Sequence, residues 1–192
     1  MRLYVIIFTV SIFQIQGLLA EPFLKGYYYG KDMKKVEGLI KFNRATFSAF
    51  GSKPASIRFK INSDSKAIKL TIDEIASFVI GRDSFAIVGD FKINSISGVY
   101  NKDFAQVLDT GAIKLYLHYS SSSDGKASYD HDRYIITKDN VKYLGIWNGN
   151  KQRDEIAAYF VDRPDLKNKV LDKKSDVSFQ ELVKDYNKNA SH

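Results

Sequence analysis

The feature that most constrains this chain is a recurring alternation of apolar and polar residues between about Lys35 and Trp147. Successive side chains of a β-strand point to opposite faces, so this alternation predicts strands with one buried and one solvated face. The clearest stretches are Val36–Asn43, Ala55–Asn62, Ala67–Ile72, Ser84–Ile93, Phe104–Leu108, Ala112–Tyr119, Arg133–Thr137 and Val141–Trp147. Half-buried strands of this kind are typical of antiparallel sheet.

The segments between these stretches contain residues that favour turns. Asn62–Ser65 and Lys138–Asn140 each predict a turn between two strands. The serine-rich segment Ser120–Ser128 predicts a longer loop. Ile72–Ile75 predicts a single helical turn between two strands.

After Trp147 the apolar spacing changes to three and four residues, which predicts helices. Pro164 is placed to open one short helix, and Ser178 and Glu181 form a capping box at the start of the last. That last helix has one apolar stripe, formed by Phe179, Leu182, Val183 and Tyr186. The sequence therefore predicts an α+β fold. We expect residues 21–149 to form a mainly antiparallel β sandwich or open barrel, and residues 150–192 to form a tail of two or three short helices that docks on it.

Residues 1–20 predict a cleavable secretory signal. Arg2 precedes a short apolar run, Leu3–Ile15, and the small residue Ala20 stands just before Glu21. The run is too short to span a bilayer and no later segment reaches that length, so no transmembrane segment is expected after cleavage. We therefore expect an exported protein, periplasmic or secreted, that begins at Glu21.

The chain contains no cysteine. In an exported protein this excludes a disulfide scaffold, thiolate zinc sites and cysteine catalysis. Stability has to come from packing, for which the large side chains of 13 Phe and 12 Tyr supply apolar volume.

The formal net charge is +7, and acidic and basic residues are interleaved along the chain. Such a mixed surface usually serves solubility, and contact with nucleic acid or anionic glycan is the lesser alternative; we expect no nucleic-acid partner.

Leu108–Ala112 reads LDTGA, which matches the active-site loop of retroviral-type aspartic proteases. In that class the aspartate shares a proton with a second carboxylate and activates water. Val79–Asp83 resembles their second motif, but here it precedes the first motif, whereas in those enzymes it follows. Asp favours the start of a turn and Gly permits a positive φ, so Asp109–Gly111 is predicted to be a turn between two strands. A hydrolase that uses paired carboxylates around Asp109 is the alternative function.

Asp130, His131 and Asp132 place one imidazole between two carboxylates. On a strand, Asp130 and Asp132 would share one face, with His131 on the other. In a loop the three could converge on a cation, although zinc needs further ligands, and His118 is the histidine that could approach across a hairpin. A solvated loop is the simpler interpretation. The sequence predicts no metal site, no cofactor and no catalytic residue, and the three residues remain candidates for ligand binding.

A second candidate for ligand binding is the run Tyr27, Tyr28 and Tyr29, which lies close to several lysines, among them Lys35. Tyrosines beside lysines can stack on sugars or nucleobases. An edge strand or an N-terminal arm that packs its rings on the body of the protein is the alternative.

Several stretches resemble a group of uncharacterised secreted proteins of Bacteroidota. The similar segments are Gly38–Ile40, Pro54–Phe59, Thr71–Phe78, Gly111–Tyr116 and the tail that begins at Ala157 and contains a Pro-x-Leu segment and a helix ending in Tyr-Asn. The resemblance covers most of the chain after the predicted signal. It implies an exported protein with a β-rich body and a short helical tail, in which Asp109–Gly111 is the turn before a Leu-Tyr strand.

The sequence contains no specific catalytic constellation, and no Gly-x-Ser-x-Gly elbow occurs. The export signal and the aromatic-rich strands favour a non-enzymatic envelope or secreted module that binds a protein or glycan partner.

Overall fold

A computed structural model describes residues 22–48, 51–92, 99–123, 127–175 and 178–190. The predicted signal, residues 1–20, lies outside these ranges, as does the centre of the serine-rich segment, residues 124–126.

In the described ranges the chain forms twelve strands. They are β1 (Leu24–Gly30), β2 (Lys35–Asn43), β3 (Ala45–Ser48), β4 (Gly51–Lys53), β5 (Ser56–Lys60), β6 (Ile68–Leu70), β7 (Ile75–Ile80), β8 (Asp83–Lys92), β9 (Val99–Thr110), β10 (Lys114–Ser123), β11 (Ser128–Thr137) and β12 (Leu144–Ile146). The order in the sheet is β12-β11-β10-β9-β8-β7-β1-β2-β5-β6. Every neighbouring pair in this path is antiparallel, as the alternation predicts.

The sheet curls into an open half-barrel. β3 continues β2 after Arg44 and pairs in parallel with Ser120–Ser122 of β10, although β2 and β10 lie far apart in the strand order. β4 pairs with β3. The predicted α+β class, with a curled antiparallel body and C-terminal helices, is confirmed.

The two faces of the sheet carry different side chains. We call the inner face the one that presents Tyr28, Ile40, Phe59 and Phe78, which the strand register places on the same side. Ile40, Phe59 and Phe78 are buried there in a cluster that Phe85 and Phe104 extend. The opposite side is the outer face. On β8 to β11 the outer face has its own buried cluster, formed by Val88, Phe91, Ala105, Tyr116 and Ile135.

Three short helices follow the sheet: α1 (Arg153–Ala157), which runs into a 3-10 turn (Ala158–Phe160), α2 (Pro164–Leu171) and α3 (Phe179–Ala190). They cover the part of the inner face on β10 to β12, where Ile113, Leu115 and Ile136 are buried with them. The predicted stripe of α3 faces this cluster, since Leu182, Val183 and Tyr186 are buried and Phe179 is partly buried.

One segment differs clearly from the sequence prediction. Ser120–Ser123 was expected to be loop, but it continues β10, and Ser120 is fully buried with its hydroxyl donating to the His131 carbonyl over 3.1 Å. The parallel pairing with β3 extends the strand, and this partner is more than seventy residues away in sequence. A long-range partner of this kind leaves no local pattern in the sequence.

Candidate functional site

The LDTGA segment forms the end of β9 and the bend into β10. The Asp109 carboxylate accepts a hydrogen bond from the Gly111 backbone N–H (2.9 Å) and another from the Asn187 side-chain amide (2.7 Å). Among the described residues, no second carboxylate shares a hydrogen bond with Asp109. The other protease-like motif lies on the β7–β8 hairpin, where Asp83 accepts a hydrogen bond from the Gln106 amide (2.9 Å).

Asn187 of α3 holds this bend in place. Its side-chain oxygen accepts from the Ile113 N–H (2.9 Å), and its amide donates to the Ile113 carbonyl (2.8 Å) as well as to Asp109. A Cβ on residue 111 would lie 2.3 Å from the Asn187 Cγ, so the close approach of the helix requires Gly111. The LDTGA segment therefore acts as a docking site for the last helix. We call the hydrogen bonds from Asn187 to Asp109 and Ile113 the Asn187 clamp.

The Asp130–Asp132 segment lies on β11, so the two carboxylates and the imidazole point to opposite faces. Arg44 approaches both carboxylates, with its Nη1 atom 2.8 Å from Asp132 and 3.6 Å from Asp130. The His131 ring hydrogen-bonds instead to the Ser122 hydroxyl (2.8 Å). The three side chains do not converge, and the carboxylates serve to hold Arg44.

His118 is not available to His131, because it pairs with a carboxylate inside the protein. Its Nε2 atom lies 2.7 Å from an Asp103 oxygen, and both side chains have an exposed fraction of 0%. The other Asp103 oxygen accepts from the backbone N–H groups of Ala55 and Phe104, each over 2.8 Å. In the part of the chain that the structure describes, no group of three or more His, Asp or Glu side chains is arranged to hold a metal ion.

The tyrosine run lies on β1 and is divided between the two faces. Tyr28 points to the inner face, where its ring meets Phe59 edge to face with centroids 5.0 Å apart. Tyr27 and Tyr29 point to the outer face, where their rings meet edge to face at 5.7 Å. The Lys35 ammonium lies 4.3 Å from the centroid of the Tyr27 ring. The structure therefore places two of the three candidate tyrosines at one half-exposed site with a lysine.

The strand register shows that this site is one end of a larger surface. The residues directly opposite each other on β1, β2, β5 and β6 share the outer face. We define the aromatic–basic face by these residues together with Phe23, whose ring lies beside Arg58 and Lys60. Its members are Phe23, Lys25, Tyr27, Tyr29, Lys35, Glu37, Leu39, Lys41, Arg58, Lys60 and Lys69. This face contains six cations and one carboxylate, all on described residues.

Three of the cations stand in one row. Lys41 on β2 is directly opposite Arg58 on β5, and Arg58 is directly opposite Lys69 on β6. Neighbouring strands are about 4.8 Å apart, so the backbones of the three residues follow one another at about that spacing. The centroid of the Phe23 ring lies 5.9 Å from the Arg58 guanidinium and 5.2 Å from the Lys60 ammonium.

Among the described residues, most of this positive charge has no paired carboxylate. Lys35 pairs with Glu37 over 2.5 Å, and this hydrogen bond raises the pKa of Lys35 and lowers the pKa of Glu37. Within the described ranges, the other five cations of the face form no ion pair with a carboxylate. A shallow depression of about 490 Å³ lies in the same region, lined by Lys25, Gly26, Glu37, Gly38, Leu39, Ile61, Asn62 and Ser63.

Sequence reasoning missed this surface because its cations come from four separate strands. Along the chain they alternate with apolar residues, as in Ile57–Phe59, and look like the ordinary solvated side of each strand. The signal would have been visible only with the pairing register of β1, β2, β5 and β6. Asn187 was missed for a similar reason, since its partners lie more than seventy residues earlier in the sequence.

Comparison with known proteins adds no assignment, since no family model, curated protein or solved structure matches this chain. In the described ranges, no helix has both the length and the apolar character that crossing a bilayer requires.

Proposed function

We propose that this protein is an exported, non-enzymatic module that binds a protein or glycan partner through the aromatic–basic face. The observation that carries the proposal is the position of Tyr27 and Tyr29, which share one half-exposed face with six cations, five of which pair with no described carboxylate. Tyrosine rings offer apolar area and a polar hydroxyl together, which suits them to contact with sugars and proteins. Because both rings stand on a strand paired on its two sides, they are held in place before a partner arrives.

The other residues with potential chemistry each have an internal partner. Asp109 is held by the Asn187 clamp, and His118 is buried against Asp103. Asp130 and Asp132 hold Arg44. These contacts give each of them a structural role and favour a binding function over the hydrolase alternative.

Export is part of the proposal and rests on the predicted signal in residues 1–20. Sequencing the N-terminus of protein recovered from the producing cells should give a chain that begins at or near Glu21. Retention of Met1 in that material would contradict export by a cleaved signal.

The proposal is tested by surface plasmon resonance of the purified protein against immobilised polysaccharides and against proteins fractionated from the cell envelope. We expect Tyr27→Ala combined with Tyr29→Ala to weaken binding about tenfold, since two aromatic contacts are lost. The matched control is Tyr129→Ala, which removes an exposed tyrosine from β11, outside the face. Binding by the double variant that equals the wild type, or no binding to any member of the panel, would refute the proposed function.

A further inference from the structure

The cation row on the aromatic–basic face is an unfavourable arrangement for the free protein. Lys41, Arg58 and Lys69 are directly opposite one another on three consecutive strands, and like charges in such positions destabilise a sheet. Arg58 and Lys69 are exposed, and no described carboxylate pairs with any of the three. A ligand that carries negative charge would relieve this repulsion, which a neutral partner would not.

The aromatic rings and the cations of this face are held together. The Lys35 ammonium rests on Tyr27, and the side chains of Arg58 and Lys60 lie over Phe23. Cations that are held over rings lose less freedom when they bind an anion. A ligand that alternates anionic groups with flat apolar surfaces would contact both kinds of side chain at once.

The length of the face suits a chain molecule. The six steps from Lys35 to Lys41 along β2 correspond to about 20 Å at the usual strand rise. The tyrosines lie at one end of this distance and the cation row lies at the other. A small anion would reach only one of the two ends.

The carboxylate within the face distinguishes between kinds of polyanion. Glu37 lies on the outer face opposite Tyr27 and lines the depression together with Lys25. A carboxylate accepts hydrogen bonds from hydroxyl groups, which sugars have in number, and it repels a continuous backbone of phosphates. Lysine and carboxylate side by side therefore match a sugar chain that carries both hydroxyl groups and spaced anionic groups.

We propose that the aromatic–basic face binds an acidic glycan, a polysaccharide whose sugar rings carry carboxylate or sulfate groups. The inference rests on the proposed function and narrows its partner to one chemical class. The rings contact the sugar units, Glu37 accepts hydrogen bonds from their hydroxyl groups, and the cation row binds their anionic groups.

The test compares polygalacturonate, which carries a carboxylate on each sugar, and heparin, which is sulfated, with a neutral glucan of similar length. We expect both acidic glycans to bind and the neutral glucan to bind much more weakly. Raising the salt from about 20 mM to about 300 mM should weaken binding of the acidic glycans, because salt screens exposed charges. Single-stranded DNA and anionic lipid vesicles are measured in parallel under the same conditions.

The diagnostic variant is Arg58→Gln combined with Lys69→Gln, which removes two of the three charges in the row. We expect it to bind the acidic glycans about fivefold more weakly or worse. The matched control is Lys142→Gln combined with Lys173→Gln, which removes the same net charge from exposed positions outside the face. We expect this control to bind as the wild type does, and circular dichroism verifies that both variants are folded.

The outcomes separate this inference from the proposed function. If the neutral glucan or an envelope protein binds as well as the acidic glycans and only the tyrosine variants weaken binding, the acidic-glycan inference is wrong and the proposed function stands. If DNA or vesicles bind as tightly as the acidic glycans, or the control pair weakens binding equally, charge alone explains the result and the inference is wrong. If neither the tyrosine nor the row variants change binding, both proposals are wrong.

Discussion

Replacing Asn187 with alanine tests whether the LDTGA segment is a docking site for the last helix. The change removes three hydrogen bonds, two to the Ile113 backbone and one to the Asp109 carboxylate. Ile113 has an exposed fraction of 0%, so its N–H and C=O groups would be left without partners inside the protein. Each unpaired buried polar group costs about 1–3 kcal/mol, so we expect the free energy of unfolding to fall by about 3 kcal/mol.

Urea unfolding followed by circular dichroism measures this loss. The control is Lys188→Ala on the same helix, an exposed position where we expect a change of at most about 0.5 kcal/mol. Gly111→Ala should also destabilise the wild type, because the new Cβ would meet Asn187. In the Asn187→Ala background the contacts with the Cγ and Nδ2 atoms are absent and only the contact with the Cβ atom remains, so Gly111→Ala should cost less there, which a double-mutant cycle detects. A loss for Asn187→Ala no larger than that of the Lys188 control, or additive effects in the cycle, would refute the clamp.

Three further predictions concern the carboxylates. Asp109→Asn keeps an oxygen that can accept the same hydrogen bonds, so it should change the free energy of unfolding by at most about 0.5 kcal/mol. Neither this variant nor the wild type should cleave a peptide library at acidic pH. Cleavage by the wild type alone would make Asp109 catalytic. His118→Ala leaves the Asp103 carboxylate buried without its ring partner. Urea unfolding should therefore show that the free energy of unfolding falls by about 3 kcal/mol or more. A fall below about 1 kcal/mol would show that the pair contributes little to stability. The hydrogen bonds from Arg163 lower the pKa of Asp165 to about 2 from its ordinary 3.8. The stabilisation from this pair is therefore complete above about pH 4 and is lost as the pH falls through about 2. Asp165→Asn should make the free energy of unfolding less sensitive to acid, and a pH dependence equal to that of the wild type would count against this ion pair.

The strands and the helices could be predicted because each depends on a local periodicity. Alternation marks the inner and outer faces of Val36–Asn43, and β2 spans nearly the same residues. The stripe on α3 likewise follows from its spacing of three and four residues. Hydrophobic burial acts on each strand or helix separately, so it leaves a pattern that can be read within about ten residues.

The arrangement of charge could not be predicted in this way. The sequence shows basic and acidic residues well mixed, and that observation favoured an ordinary solvated surface. Strand pairing separates them, because Lys41, Arg58 and Lys69 come from three strands that become neighbours only in the folded sheet. Register is set by turns and by packing on the inner face, and the charges on the outer face follow from it.

The Asn187 clamp and the aromatic–basic face lie on different parts of the molecule. The clamp joins α3 to the bend between β9 and β10. The face lies on β1, β2, β5 and β6, at the other end of the strand order from β12. The residues of the two sites share no described hydrogen bond, so the effects of substitutions at the two sites on the free energy of unfolding should be additive. Variants of the clamp should therefore lower stability and leave binding by the folded protein unchanged. Arg58→Gln with Lys69→Gln should instead weaken binding without lowering stability, because it removes a repulsion that the free protein bears. Such results would show that the Asn187 clamp stabilises the fold and that the aromatic–basic face binds a partner.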